Sequence, residues 1–136
     1  MPQKEIRDIM RRGVVTCGVD ATVADAAETM VHEDVSVVVV VDERLDACGV
    51  ITRTDLIKHY GEDLTSITAE DIMTPRLWSA SPETKVNDAI QQMLTRNVHQ
   101  LVVVTEGGTH RRPVGIFTRS DALAALMAGE PSAAAT

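Results

Sequence analysis

The chain repeats itself, and the repeat constrains its fold more than any other feature. Ile9-Met10, Val23, Asp25-Ala26, Met30, Val35 and Val39-Val40-Val41 recur as Ile72-Met73, Val86, Asp88-Ala89, Met93, Val98 and Val102-Val103-Val104, each pair displaced by 63 positions. Gly49-Val50-Ile51-Thr52-Arg53-Thr54-Asp55 then returns as Gly115-Ile116-Phe117-Thr118-Arg119-Ser120-Asp121, displaced by 66, so the second copy carries three extra residues (66 − 63 = 3). They fall within Gly107-Gly108-Thr109-His110-Arg111-Arg112-Pro113, which reads as a longer loop. A unit of about 60 residues buries too little surface to stand alone, so the two copies should pack on each other. The expected product is one pseudo-two-fold domain with clefts where the halves meet.

The 136 residues are 44% hydrophobic but contain a single Trp, Tyr and Phe, so the core must be aliphatic. An aromatic platform for single-stranded nucleic acid is excluded on the same ground. The net charge of −7 argues against general binding to duplex phosphates or anionic membranes. No apolar run approaches the ~18 residues of a membrane span, and Met1-Pro2-Gln3-Lys4-Glu5 lacks a signal segment, so a cytoplasmic location is expected. Cys17 and Cys48 both lie in the first copy, without cysteine counterparts in the second, and read as reduced thiols.

Apolar spacing places one amphipathic helix in each copy: Val23, Ala26, Ala27, Met30 and Val31 in the first, Val86, Ala89, Ile90, Met93 and Leu94 in the second. The β-branched runs over 35–41 and 98–104 predict strands covered on both faces. Second strands are expected over 48–52 and 114–118, final helices over 52–60 and 118–127, and short leading strands over 14–17 and 77–79. Each copy is therefore β-α-β-β-α in an α/β (mixed α+β) arrangement. The copies occupy 1–61 and 69–127, with a linker over 62–68, a capped short helix opening at Thr68-Ala69-Glu70-Asp71, and a frayed tail over 128–136. Ala26, Ala89, Met93 and Leu94 are expected on outer helix faces, which predicts a homodimer.

Thr52-Arg53-Thr54-Asp55 and Thr118-Arg119-Ser120-Asp121 are the most pointed motifs. A Thr at the helix cap with a carboxylate three residues on is close to a capping box and needs no ligand. Arg53 and Arg119 stand at the first helical position, where the helix dipole favours an anion, and a helix start beside an Arg suits phosphate. A carboxylate one turn on can accept both hydroxyls of a ribose. Elsewhere, His32-Glu33-Asp34 lacks the second His of a zinc-protease helix, Gly107-Gly108 lacks the Lys-Ser or Lys-Thr of a phosphate-binding loop, and His110-Arg111-Arg112 reads as a solvated hairpin tip. Metal ligation is not expected.

Taken in order, Asp8-Ile9-Met10 and Asp71-Ile72-Met73-Thr74-Pro75, the helix starts Thr22-Val23-Ala24-Asp25-Ala26 and Lys85-Val86-Asn87-Asp88-Ala89, and the two Gly-x-x-Thr-x-x-Asp endings resemble the CBS-domain family, as the tandem pair called a Bateman module. The resemblance implies two β-α-β-β-α repeats packed through their sheets, with adenosine-containing ligands in two inter-repeat clefts. It implies that Asp55 and Asp121 hold ribose hydroxyls, that Thr52 and Thr118 line the same pockets, and that Val14, Val15 and Thr16, and Leu77, Trp78 and Ser79, border the adenine. By itself Trp78 reads as a core or dimer-interface anchor rather than an adenine stacker. His99 stands where similar modules place a basic residue near phosphate, while Ser36 and Val37 occupy the positions matching His99 and Gln100. The two clefts should thus be unequal, with the Asp55 cleft the weaker for phosphate, although sequence alone leaves open which strand lines which cleft.

The function this implies is a regulatory module, without catalysis of its own, that senses AMP, ADP, ATP, NADH or S-adenosylmethionine, requires no cofactor and acts on a protein partner. The rival is a ligand-free assembly module.

Overall fold

The structure is a computed structural model and describes residues 4–75, 78–107 and 110–128. Expectations resting on Leu77, on Gly108-Thr109 and on the tail after residue 128 lie outside the described residues. After a short 3-10 turn at Ile6–Asp8 come β1 (Arg11–Arg12), β2 (Thr16–Gly18), α1 (Val23–Glu33), β3 (Val37–Val41), β4 (Ala47–Thr52) and α2 (Arg53–Ile57). The second copy follows with α3 (Ala69–Ile72), β5 (Ser79–Ala80), α4 (Val86–Arg96), β6 (Gln100–Gly107), β7 (His110–Thr118) and α5 (Arg119–Met127).

Two sheets result, ordered β2-β3-β4 and β1-β7-β6-β5. The five consecutive valines of β3 are all buried, because each face of the strand meets a different layer. Val37, Val39 and Val41 pack with Val102, Val104 and Ile116 of the second copy. Val38 and Val40 point the other way, onto Ala26 and Met30 of α1. The second copy does the same: Leu101, Val103 and Phe117 meet Ala89 and Met93 of α4. The copies therefore pack sheet to sheet with their helices outside.

The segments leading into each copy are exchanged. Ile6 is fully buried in the second copy's core, and Ala69 is fully buried in the first's. Arg11 and Arg12 pair with Ile116 and Gly115. In the matching place, Thr74 bonds Val50 in both directions, at 2.9 and 3.1 Å. The exchange explains the glycine that begins each motif ending. A Cβ on Gly49 would lie 2.8 Å from the Thr74 carbonyl oxygen, and one on Gly115 2.8 Å from that of Arg11, so only glycine lets the foreign segment cross the strand.

Several expectations need correction. The three additional residues do not make a loop: β6 and β7 run on through Thr105↔Arg112, Glu106↔Arg111 and Gly107↔His110. The hairpin end is also not simply solvated. Asp46, in the β3–β4 turn, accepts the Arg111 backbone N–H at 2.9 Å, and its other oxygen lies 3.4 Å from His110 Nδ1. Arg111 Nη2 donates to Ser79 Oγ at 2.5 Å. Contact between the repeats thus supports strand pairing where glycine content suggested a loop. The Arg111 N–H and the His110 ring hold the Asp46 carboxyl below its ordinary pKa.

The helix over 52–60 stops at Ile57, and turns carry the chain to Gly61, whose φ of 91° suits glycine. Ala26, Ala89 and Met93 face their own sheets rather than outward. Among the described residues, the large apolar side chains that do face outward are Val31, Leu45, Ile57, Tyr60, Leu94, Leu123, Leu126 and Met127. Cys17 and Cys48 lie on the two strands flanking β3, a separation of about 9 to 10 Å from strand spacing, too far for a disulfide. Both are free, and burial pushes both thiol pKa values up.

Candidate functional site

Each motif ending carries the chain out of a strand, β4 or β7, and directly into a helix, α2 or α5, so the turn sits at the strand end. In the first copy, Thr52 N and Thr52 Oγ1 both donate to Asp55 Oδ2, at 2.8 and 3.0 Å. Asp55 N donates back to Thr52 Oγ1 at 3.3 Å. In the second copy, Thr118 N donates to Asp121 Oδ2 at 2.8 Å and Asp121 N to Thr118 Oγ1 at 3.1 Å. These are complete capping boxes. They occupy one oxygen of each carboxylate. Among the described residues no hydrogen bond falls on Oδ1 of either Asp, so capping leaves an acceptor available for a ligand.

Two clefts open beside these turns, and each is walled by both copies. Cleft one, about 190 Å³, joins Val14, Val15, Val35, Ser36 and Val37 of the first copy to Ile116, Thr118, Ser120 and Asp121 of the second, with Arg11 also on its wall. Cleft two, about 200 Å³, joins Val50, Thr52 and Asp55 of the first copy to Thr74, Trp78, Val98, Gln100 and Val102 of the second. Both clefts are smaller than the ~300–1,000 Å³ of drug-sized sites, and their lining is mostly apolar with a few polar side chains.

The pairing removes the ground on which the clefts were ranked. Ser36 and Val37 lie in cleft one with Asp121, whereas the Asp55 cleft holds Gln100. The loss at Ser36 and Val37 therefore falls on the cleft expected to be the stronger. Among the expected site residues, Asp55, Thr52 and Trp78 come together in one cleft, and Asp121, Thr118, Val14 and Val15 in the other.

The remaining expected residues are placed differently. Arg53 lies 3.8 Å from Asp34 at the end of α1. Arg119 Nε donates to the Val98 carbonyl at 3.0 Å, beyond the end of α4. Both guanidiniums thus serve helix C-termini, where a cation is favoured. His99 is exposed, and its carbonyl accepts the Arg119 N–H at 3.1 Å. Ser79 is occupied by Arg111, and Thr16 is an exposed residue of β2 opposite Val39. Trp78 carries the Arg96 guanidinium on its ring, 4.0 Å from the centroid. Sequence reasoning passed over Arg11 and Ser120. The available signal was positional: Arg11 is the counterpart of Thr74, in a segment exchanged between the copies.

The family profile described as CBS domain matches residues 6–62 and again 69–128. Among curated proteins, the uncharacterized protein MK0525 of Methanopyrus kandleri is 27% identical over 126 residues, covering 90% of this chain and 63% of its own length. The A-adding tRNA nucleotidyltransferase of Geobacter sulfurreducens is 30% identical over 94% of this chain but only 14% of its own length. The chain thus spans less than two thirds of the length of either relative. Among solved structures, the CBS domain pair of protein MJ0100, in complex with 5′-methylthioadenosine and S-adenosyl-L-methionine, superposes with a TM-score of 0.81 at 26% identity, covering 96% of this chain and all of that one (100%). The CBS domain of a CBS domain containing membrane protein from Sphaerobacter thermophilus gives 0.80 at 29% identity, over 90% of this chain and 87% of that one. No helix among the described residues of this chain is long and apolar enough to cross a membrane.

Proposed function

Because the chain belongs to the CBS-domain family, as a tandem pair of CBS domains, we propose that it is a regulatory module sensing an adenosine-containing small molecule bound between its repeats. The observation carrying this reading is that each cleft takes its carboxylate from one repeat and its apolar wall from the other. A ligand in such a cleft bridges the two halves, and its binding energy then favours one arrangement of them. Asp121 and Asp55 hold the ribose through Oδ1 while Oδ2 keeps the cap. Thr118 and Thr52 lie beside the sugar; Val14 and Val15 in one cleft and Trp78 in the other border the base. The MJ0100 pair, of the same fold, was solved with two adenosyl ligands. AMP, ADP, ATP, NADH and S-adenosylmethionine are the compounds to test, and the module works in the cytoplasm on a protein partner, with no catalysis of its own.

A second copy of the chain belongs to this reading. Val31, Ile57, Leu94, Leu123, Leu126 and Met127 leave apolar side chains exposed on the helical layers of both repeats, and a homodimer covers them.

Thermal melting with each candidate ligand tests the proposal. At about 100 times its dissociation constant, a ligand that binds only the folded chain stabilises it by ~2.7 kcal/mol. For a domain of this size that raises Tm by roughly 8 to 14 °C. If no adenosine compound at millimolar concentration moves Tm by about 2 °C, a fraction of that shift, the chain is an assembly module instead.

A further inference from the structure

The two clefts repeat one plan with different charge. Arg11 lines cleft one, while its counterpart 63 positions on, Thr74, lines cleft two. Among the described residues, the Arg11 guanidinium has no hydrogen-bond or ion-pair partner. Its neighbours are engaged: Arg12 Nη2 donates to the Arg7 carbonyl at 3.4 Å, and Arg7 Nε lies 2.7 Å from Glu5. The backbone of Arg11 is fixed by its pairing with Ile116, which lines the same cleft, so the side chain rises from a held strand. It stands on the wall of a cleft that also contains Ser120 and the start of the nine-residue helix α5. Among the described residues, cleft two has Asp55 as its one charged lining residue, and a five-residue helix stands at the corresponding place. Two described arginines near it are committed elsewhere, Arg96 to the Trp78 ring and Arg53 to Asp34.

We propose, resting on the adenosine reading above, that Arg11 divides the clefts by ligand charge: cleft one takes an adenosine bearing phosphate, and cleft two an adenosyl compound that is uncharged or cationic. In cleft one the guanidinium offsets Asp121, so a phosphate enters a site with no net charge and gains a charge-assisted contact. In cleft two the carboxylate stands without a lining cation, which disfavours phosphate and suits a neutral nucleoside or a sulfonium.

Calorimetric titration of the full chain with adenosine, AMP and S-adenosylmethionine tests this, with Asp121→Ala and Asp55→Ala assigning each binding event to its cleft. Arg11→Ala should weaken AMP in cleft one by about 10- to 100-fold, the worth of a hydrogen bond between charged groups, and change adenosine by less than about threefold. Arg11→Lys should restore part of the AMP preference. Thr74→Arg should give cleft two an AMP affinity it lacks in the wild type. Parallel losses of AMP and adenosine in Arg11→Ala, or an unchanged AMP-to-adenosine ratio, would overturn the role of Arg11 while leaving the adenosine reading intact. Binding of none of the three compounds to the wild type at millimolar concentration would overturn both.

Discussion

Replacing Gly115 with alanine probes the exchanged lead-in directly. The new methyl would sit 2.7 Å from Met10 Sδ and 2.8 Å from the Arg11 carbonyl oxygen. The sulfur belongs to a flexible side chain and can move. The carbonyl belongs to β1, which is paired to the same strand and cannot withdraw without losing its register. Overpacking of this kind costs ~1–3 kcal/mol. Removing a strand glycine returns ~0.5–1 kcal/mol through backbone entropy, leaving a net loss of about 1 to 2 kcal/mol. Tm should fall by roughly 3 to 10 °C, measured by scanning calorimetry without ligand. Gly49→Ala should behave alike, because its methyl would meet Met73 Sδ at 2.6 Å and the Thr74 carbonyl at 2.8 Å. Gly18→Ala is the control: it lies in β2 with nothing within 4 Å of its Cβ position, and should be neutral or slightly stabilising. The contact is also separable by a double-mutant cycle. Met10→Ala with Gly115→Ala should be less harmful than the two single losses added, since the sulfur is gone, yet should not recover fully because the carbonyl remains. A Gly115→Ala chain that melts at or above wild type would refute the close crossing of the lead-in.

Two further outcomes are expected. Asp46 is held below its ordinary pKa, first by the Arg111 backbone N–H and then by His110, so its stabilisation is present above the unfolded value near 4 and disappears as pH falls through the folded one. Urea midpoints of wild type and Asp46→Asn should accordingly differ at pH 7 and draw together as the pH is lowered below the ordinary carboxylate range, and a gap that is equal or wider in acid would contradict the cross-repeat contact. Met93, 1% exposed, and Leu94, 58% exposed, are neighbours on α4 that test burial against association. Met93→Ala should cost ~2–5 kcal/mol, whereas Leu94→Ala should cost under ~0.5 kcal/mol in a monomer and weaken the dimer seen by sedimentation. A wild type that sediments as a monomer at tens of micromolar removes the dimer, since that concentration detects association tighter than about −6 kcal/mol.

The duplication made most of the architecture legible, because a displacement of 63 pairs Val39, Val40 and Val41 of β3 with Val102, Val103 and Val104 of β6, and one of 66 pairs Asp55 with Asp121. The five-valine run declared a strand buried on both faces, and five buried residues are found there. What stayed hidden was non-local. Nothing in Gly107-Gly108 announces that strand pairing continues to Gly107↔His110, since the support comes from Asp46, 64 positions before His110. Arg53 and Arg119 looked like phosphate ligands because a helix start favours anions. They instead reach the C-terminal ends of α1 and α4, which sequence distance gives no means of foreseeing.

The exchange of lead-ins explains why the clefts could not be ranked copy by copy. A residue in the first copy ahead of α1, or at the start of β3, lines the cleft whose carboxylate is Asp121, not Asp55. Divergence within one repeat is therefore felt at the motif of the other. Ser36, Val37 and Arg11 all modify the Asp121 cleft, while Thr74, Trp78 and Gln100 modify the Asp55 cleft, although both motifs keep the same cap. Keeping the cap and changing the opposite wall gives two clefts of one plan different lining charge, which is the ground for proposing that they take different ligands. It does so without disturbing the backbone, because the residues that differ project from strands whose pairing fixes them whatever side chain they carry.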